Sequence, residues 1–317
     1  MKAALLFALA LGAAVPVVAQ PTTPAKPPAN RFDAYLTPAE RFESGPLLVE
    51  RHGSKGRPLI LIPGLASGPW VWQETIRQLL DKPDEFTVYV LTLPGFDGRA
   101  PLAEAPFETT RAAVRDLIAQ RKLDKPVLIG HSLGATLSFA VAEDLGNRIG
   151  GVVALDGLPV FPGTEELAPP QRLQMAANIR TRMAASPADA FAAQQRQYMR
   201  SQGVLDIGKA DDIAPLLLRS DREAVGAWMA DLLALDLRPG LPKIAAPVLV
   251  MAPFYQYDVA QGPQGAMTPD DKIAHYRSLL DGVANLEVVP IAPARHFLMI
   301  DQPLALAGAL RRFLDRR

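Results

Sequence analysis

Short apolar runs alternate with longer amphipathic stretches along most of this chain, from residue 46 to its last residues. The apolar runs include RPLILIPG, FTVYVLTLPGF, PVLIGHS, IGGVVALDG and APVLVMAPF. Continuous runs of this length are typical of parallel strands buried on both faces, and the stretches between them have helical spacing. The pattern predicts an α/β fold with a mostly parallel central sheet flanked by helices. Ligands of such sheets collect beyond the carboxyl ends of the strands.

One segment interrupts this alternation. Between residues 159 and 238 the strand signal disappears, and the sequence becomes rich in Ala, Gln, Met and Arg at helical spacing. We therefore expect a helical insertion over 159–238, between a first core segment (41–158) and a second (239–317). Several large apolar side chains of the insertion could line a site, although residues at helical spacing more often serve simple packing: Met175, Met183, Met199, Trp228 and Met229.

The N-terminal residues have the pattern of a secretory signal peptide. One Lys precedes an apolar run that ends in small residues, so we expect cleavage near Ala19 and export to a periplasmic or extracellular location. A membrane anchor is the alternative, but Gly12 and Pro16 interrupt the run before it reaches the roughly 20 residues that a span needs. Residues 20–40 are rich in proline and predict a linker.

Composition excludes several classes of function. The chain has 33 basic and 33 acidic residues, so no net positive charge is available to attract nucleic acid. It has no cysteine, which excludes disulfides and thiolate chemistry. No metal-binding or nucleotide-binding motif is present, so neither a metal nor another cofactor is expected. The expected partner is a small-molecule substrate, and the oligomeric state is left open.

Gly130, Ser132 and Gly134 form a Gly-x-Ser-x-Gly motif at a junction between an apolar run and a helical pattern. A serine in this strand-turn-helix setting is typical of a nucleophile, because the sharp turn presents its hydroxyl above the sheet. The amide of Leu133, at the start of the helix, would point toward a developing oxyanion. A tight turn with no catalytic role is the alternative interpretation.

A serine nucleophile also needs a base and a second oxyanion donor. Of the four histidines, His296 follows the last predicted strand, where the order Ser, acid, His of one hydrolase fold places the base. His52 and His275 have no such context, and His131 adjoins the serine. The loop after an early strand contains Pro63-Gly64-Leu65, and the Leu65 amide is the expected second donor.

The segments PGLASGPW, LTLPGF, GHSLGA and ARHF, in this order, resemble the motifs of the α/β-hydrolase superfamily. The resemblance covers nearly all of residues 45–317 and implies the α/β-hydrolase fold, with the helical insertion as its cap. The oxyanion loop departs from the family pattern, since Pro63-Gly64 stands where many members have His-Gly. The hydrogen-bond donor to the oxyanion is the backbone amide of the next residue, so this departure casts little doubt on activity.

The acid of the implied triad has two candidates. Most of the superfamily place it after the strand that follows the cap, where this chain has Tyr255 and Gln256 and, slightly later, Asp258. Asp156 closes the strand after the nucleophile helix, an alternative acid position in some lipases and dehalogenases of this fold. We favour Asp156 because a strand end holds a side chain rigidly. It could also be a turn aspartate before Gly157.

These residues predict a secreted, cofactor-free serine hydrolase that cleaves apolar, neutral carboxylic esters or lactones through an acyl-enzyme. Ser132 stands where dehalogenating and epoxide-opening members carry an aspartate, which disfavours both reactions. A peptidase or thioesterase of the same fold is the alternative enzyme. A non-catalytic binding module is a further alternative, disfavoured because the chain keeps both Ser132 and His296.

Overall fold

A computed structural model describes residues 30–32, 36–259 and 267–316. Its centre is one eight-stranded sheet in the order β1-β2-β4-β3-β5-β6-β7-β8. β1 and β2 are antiparallel to each other and β2 is antiparallel to β4, whereas every other neighbouring pair is parallel. The strands are β1 (Glu40–Ser44), β2 (Leu47–His52), β3 (Arg57–Ile62), β4 (Phe86–Thr92), β5 (Val127–His131), β6 (Gly151–Leu155), β7 (Val248–Pro253) and β8 (Leu286–Ile291).

Helices connect the parallel strands, as the predicted fold requires. They are α1 (Gln73–Leu79), α2 (Pro106–Gln120), α3 (Leu133–Leu145), α4 (Pro169–Ala185), α5 (Ala188–Tyr198), α6 (Ile207–Leu217), α7 (Arg222–Ala234), α8 (Gln256–Val259), α9 (Pro269–Leu279), α10 (Leu298–Asp301) and α11 (Pro303–Asp315). In the part of the chain that the structure covers, no helix combines the length and apolar character needed to cross a membrane.

The core lies along the middle of the sheet, where the continuous apolar runs of the sequence became strands. Every residue of β4, β5, β6 and β7 is buried. This burial on both faces confirms the expected mostly parallel sheet and explains why these strands lack an apolar-polar alternation.

The N-terminal part differs from the sequence pattern in one strand. β1 was not expected, because its residues ERFES carry three charges and no apolar run. It lies at the edge of the sheet and its exposure alternates along the strand, which is how a polar sequence can pair on one side only. The predicted signal peptide, residues 1–19, lies outside the described residues. Within the predicted linker, Phe32 and Leu36 pack against the core.

The insertion between β6 and β7 consists of α4 to α7, with a single π-helical turn (Met199–Gly203) after α5. Backbone hydrogen bonding joins the two ends of the insertion. Val160 forms an isolated antiparallel bridge with Asp236, and the Leu237 amide donates to the Pro159 carbonyl at 2.8 Å. The helical segment therefore leaves and rejoins the sheet at one point, beyond the carboxyl end of β6.

Candidate active site

Ser132 occupies the turn between β5 and α3. Its backbone has φ 52° and ψ −120°, a left-handed conformation that is strained for a residue with a side chain. Close packing around the turn makes small neighbours necessary. A Cβ on Gly130 would lie 2.2 Å from the Gly134 carbonyl oxygen, and a Cβ on Gly134 would lie 2.2 Å from that of Ile62. The two glycines of the motif thus let α3 approach β3 and β5 while the turn presents the serine.

Leu65 and Leu133 flank Ser132 in the same cavity. Leu133 is the first residue of α3, where a backbone N–H has no acceptor within the helix. The Leu65 amide lies in the loop after β3. Among the residues that the structure describes, neither amide donates to a backbone or side-chain acceptor. Two backbone donors are therefore available beside the serine.

His296 and Asp156 form a close pair next to this turn. His296 Nδ1 lies 2.6 Å from Asp156 Oδ2, and both side chains line the cavity that contains Ser132. Asp156 follows β6 with φ 47°, and its amide donates to the Met251 carbonyl on β7 at 3.0 Å, which fixes the carboxylate at the strand end. Within the described residues Ser132 makes no side-chain bond to His296, as is common before substrate binds.

The other acid candidate, Asp258, lies in α8 and is engaged elsewhere. Arg295 donates to both its carboxylate oxygens, from Nε at 2.8 Å and from a terminal nitrogen at 2.7 Å. The same guanidinium also donates to the carbonyls of Arg200 and Val204, at the π-helical turn. The structure thus brings Asp156, and not Asp258, to His296.

Backbone hydrogen bonds also hold the loop that carries His296 against the insertion. The His296 amide donates to the Gln202 carbonyl at 3.2 Å, and the Phe297 amide to the Gly203 carbonyl at 2.9 Å. Gln202 and Gly203 are the last residues of the π-turn, and the carbonyls at the end of a helix have no partner within it.

His131, the last residue of β5, contacts the same loop. It is fully buried, and its Nε2 lies 3.0 Å from the His296 carbonyl, which can only accept, so His131 carries its proton on Nε2. Its Nδ1 is buried without a partner in the described structure. Burial, together with repulsion from a charged His296, lowers the pKa of His131 to about 3, so the ring stays neutral at ordinary pH.

The two remaining histidines lie away from this cluster. His52 is buried in β2 with its Nε2 3.8 Å from Glu50, and His275 lies on α9 with 47% of its side chain exposed. Neither lines the cavity.

A tyrosine completes the surroundings of the carboxylate. Tyr276, on α9, donates its hydroxyl to Asp156 Oδ1 at 2.5 Å. Burial raises the pKa of the Asp156 carboxyl, but the hydrogen bond from His296 and the charges of His296 and Lys272 outweigh this and lower the pKa to about 2. Burial and the nearby Asp156 charge raise the pKa of Tyr276 well above its usual range. Asp156 is therefore ionised and Tyr276 protonated at neutral pH.

The cavity above Ser132 has a volume of about 340 Å³ and is mostly apolar. Core residues line one side and residues of the insertion the other. The insertion contributes Pro159, Val160, Phe161, Pro162, Gln194, Gln195, Tyr198, Leu217, Met229, Leu232 and Leu235. None of the described lining residues is Lys, Arg or Glu, so the ionisable groups present are His131, Asp156, Tyr198, Tyr276 and His296.

Of the large insertion residues that the sequence offered, Met229 lines the cavity. Met183, Met199 and Trp228 are buried in packing, and Met175 lies on the surface. Trp70 and Trp72 are also buried in the core and do not border the cavity. The tyrosines and glutamines of the cavity were not found from the sequence, because nothing in their spacing distinguishes them from ordinary helix-surface residues.

The described residues contain no group of three or more His, Cys, Asp or Glu side chains placed to hold a metal ion. The arrangement that they do contain is a hydroxyl on a strained turn, an imidazole bonded to a carboxylate and two backbone donors. This set suits nucleophilic acyl transfer.

The fold and this site define an α/β-hydrolase. The sequence matches the Alpha/beta hydrolase family over residues 59–309, and the chain belongs to that family. The chain is 30% identical over 107 residues to a pimeloyl-[acyl-carrier protein] methyl ester esterase of Vibrio campbellii, covering 34% of this chain and 39% of that protein. It is also 30% identical over 105 residues to a soluble epoxide hydrolase of Corynebacterium, covering 33% and 36%.

Both of these matches span less than two-fifths of the curated relatives. A structural neighbour covers far more of the chain. The structure of MenH from S. aureus matches with a TM-score of 0.70 at 15% identity, over 84% of this chain and 98% of its own. At this identity the likeness shows the fold. Together the matches show membership of the α/β-hydrolase family and its fold, and leave the chemistry of this chain to be argued from the site.

Proposed function

We propose that this protein is a cofactor-free serine hydrolase that cleaves neutral carboxylic esters or lactones through an acyl-enzyme. One observation carries the proposal. The His296–Asp156 pair, 2.6 Å apart, lines the same cavity as Ser132, which sits on a left-handed turn at the start of α3. These are the parts that a Ser-His-Asp triad requires.

In the proposed reaction Ser132 Oγ attacks the carbonyl carbon of the ester. His296 Nε2 takes the serine proton, while Asp156 accepts from Nδ1–H and stabilises the imidazolium that forms. The carbonyl oxygen becomes an oxyanion, and the free amides of Leu65 and Leu133 donate to it.

Collapse of the tetrahedral intermediate breaks the bond to the alcohol oxygen, which leaves with the proton from His296. Water then attacks the acyl-enzyme with His296 again as the base, and a second collapse releases the carboxylic acid and restores Ser132. Every proton removed in one half of the cycle is returned in the same half.

The cavity supports a neutral, apolar substrate. Its volume of about 340 Å³ suits a small to medium ester. No described lining residue carries a positive charge outside the histidines, and the Asp156 charge is already matched by His296 and Tyr276. A substrate carboxylate would be buried without a partner, at a large cost in free energy.

The residue on the turn also favours ester cleavage over a second reaction of the family. One relative is named as an ester esterase and the other as an epoxide hydrolase. Members that open epoxides use an aspartate nucleophile at this turn, whereas this chain has Ser132. The proposal therefore follows the esterase.

Hydrolysis of p-nitrophenyl esters of increasing acyl length tests the proposal. We expect turnover with short to medium chains, falling once the acyl group exceeds the cavity, and loss of turnover in Ser132→Ala. Ser138→Ala is a matched control, because Ser138 lies about two turns along α3 and its hydroxyl, within the described residues, bonds only to the Gly134 carbonyl, at 2.7 Å. A fluorophosphonate should label the wild type and Ser138→Ala, but not Ser132→Ala.

Ester turnover that survives Ser132→Ala would contradict the assignment of the nucleophile. Labelling of Ser132 without turnover of any ester would favour a peptidase or thioesterase of the same fold. Absence of both labelling and turnover in the folded protein would favour a binding module.

We also propose that the enzyme is exported, on the basis of the signal-peptide pattern of residues 1–19. In a bacterial host the mature chain should be recovered from the periplasmic fraction or the medium. Intact mass measurement is expected to place its first residue at Gln20. Recovery of the unprocessed chain from the cytoplasm would contradict export.

A further inference from the structure

Asp156 is held by two hydrogen bonds that divide its oxygens between them. His296 Nδ1 lies 2.6 Å from Oδ2, and the Tyr276 hydroxyl donates to Oδ1 at 2.5 Å. The Asp156 side chain is 15% exposed, so few other partners are available to Oδ1. The tyrosine bond is therefore the second of two contacts that fix the plane of the carboxylate.

Tyr276 is itself held in place. It lies on α9 and is 6% exposed, and the Lys272 ammonium, one turn earlier, lies 5.5 Å from the centre of its ring. Lys272 also donates to the Pro253 carbonyl at the end of β7, at 2.5 Å. This contact ties α9 to the strand next to β6, so the hydroxyl cannot easily turn away from Asp156.

From this geometry we propose that Tyr276 is a positioning residue for the triad, acting on His296 through Asp156; the inference rests on the proposed function. Its hydroxyl holds the carboxylate in the orientation that receives Nδ1–H of His296. That bond keeps the Nε2 lone pair of the neutral imidazole toward Ser132. Tyr276 also weakens the proton affinity of the carboxylate, because a donated hydrogen bond stabilises the anion.

Loss of the hydroxyl should change two things. The carboxylate becomes less well oriented, which lowers kcat. Without the tyrosine hydrogen bond the carboxylate also interacts more strongly with His296, so the imidazolium form of His296 is stabilised. Because His296 must be neutral to act as the base, the acid limb of the pH–rate profile moves to higher pH.

The test is Tyr276→Phe, which removes one oxygen and keeps the ring that lines the cavity. Taking the bond to be a hydrogen bond to a charged group, we expect kcat to fall about tenfold or more and the acid limb to rise by about one pH unit. KM for an apolar ester should change little. A purely structural role would lower stability without moving the acid limb.

Tyr198→Phe is the matched control, since Tyr198 is the other tyrosine of the cavity and packs edge-on against the His296 ring at 6.2 Å. It has no hydrogen bond to Asp156 within the described structure, so its removal should leave the acid limb where it is. An equal shift in both variants would overturn the proposal.

A double variant tests whether Tyr276 acts through Asp156. Asp156→Asn with Tyr276→Phe should lose no more activity than Asp156→Asn alone, because the tyrosine then has no carboxylate to position. Losses that multiply in the double variant would overturn the proposal.

One measurement needs no turnover and separates this inference from the proposed function. The pH dependence of the His296 ring signals, followed by NMR, should move to higher pH in Tyr276→Phe than in the wild type. An unchanged pH dependence overturns the role of Tyr276 even in an active esterase. A shift to higher pH in a protein that cleaves no ester would support the coupling and reject the ester substrate alone.

Discussion

At the scale of single residues, the most direct prediction concerns which aspartate is the acid of the proposed triad. Asp156→Asn should lower kcat by orders of magnitude, about 10⁴ in the serine-protease precedent, because an amide favours the wrong imidazole tautomer. Asp258→Asn should have a much smaller effect, since Asp258 bonds to Arg295 and not to His296. Steady-state kinetics of both variants on one ester decides, with circular dichroism to confirm that each is folded. The reverse order of effects would reject Asp156.

Sequence reasoning found the residues that belong to motifs and missed those that only packing brings together. Ser132, His296 and Leu65 follow strands in a recognisable order, and the structure brings Asp156 to them. Tyr276 lies 120 positions from Asp156 in an ordinary amphipathic helix. Its role depends on the angle at which α9 crosses the end of β7, and no local pattern in the sequence encodes that angle.

At the scale of elements, the approach of α3 to β3 depends on Gly134. A Cβ there would lie 2.2 Å from the Ile62 carbonyl oxygen and 2.7 Å from that of Pro63, and both belong to backbone that cannot turn away. Gly134→Ala should therefore lower the free energy of unfolding by about 1–3 kcal/mol or more. Denaturant titration measures this change.

Gly308→Ala is the control for that substitution. Gly308 lies inside α11, and an added Cβ would contact, among the described atoms outside the helix backbone, only an Arg312 terminal nitrogen at 3.5 Å. Alanine should stabilise this helix by about 0.5–1 kcal/mol, because glycine loses more backbone entropy on folding. Equal destabilisation by both substitutions would contradict the proposed close approach at Gly134.

Element prediction succeeded where burial is uniform and failed where it is not. The apolar runs of the sequence predicted the fully buried strands, and the loss of such runs after β6 predicted the change to helices. β1 was missed because its residues are charged and only its alternating exposure identifies it as an edge strand. Just before α1, Pro69–Trp72 forms a 3₁₀ turn with all four residues buried.

At the scale of the whole molecule, His131 makes stability depend on pH. Its pKa is about 3 in the folded chain against 6.5 when unfolded, so between these values the unfolded chain binds a proton that the folded chain does not. The free energy of unfolding should therefore be constant above pH 6.5 with respect to this group. Below pH 6.5 the free energy of unfolding should fall by about 1.4 kcal/mol for each pH unit, down to about pH 3.

Urea titrations of wild type and His131→Gln at pH 4.5, 5.5 and 7 check this. The variant is expected to be less stable at pH 7, because it loses a buried ring, and to lose stability less steeply toward pH 4.5. His275→Gln, on the exposed part of α9, should keep the wild-type slope. Identical slopes in all three proteins would contradict a neutral buried His131.

The bridge between Val160 and Asp236 has a consequence for how substrate range can change. Because the two ends of the insertion are neighbours, the distance that any replacement segment must close is already set by the core. A segment of different length or sequence could be grafted between them while the eight strands keep their register. The insertion's share of the cavity wall is thus carried by one continuous piece of chain that could be exchanged. The side chains proposed for bond cleavage come from segments that such an exchange leaves in place.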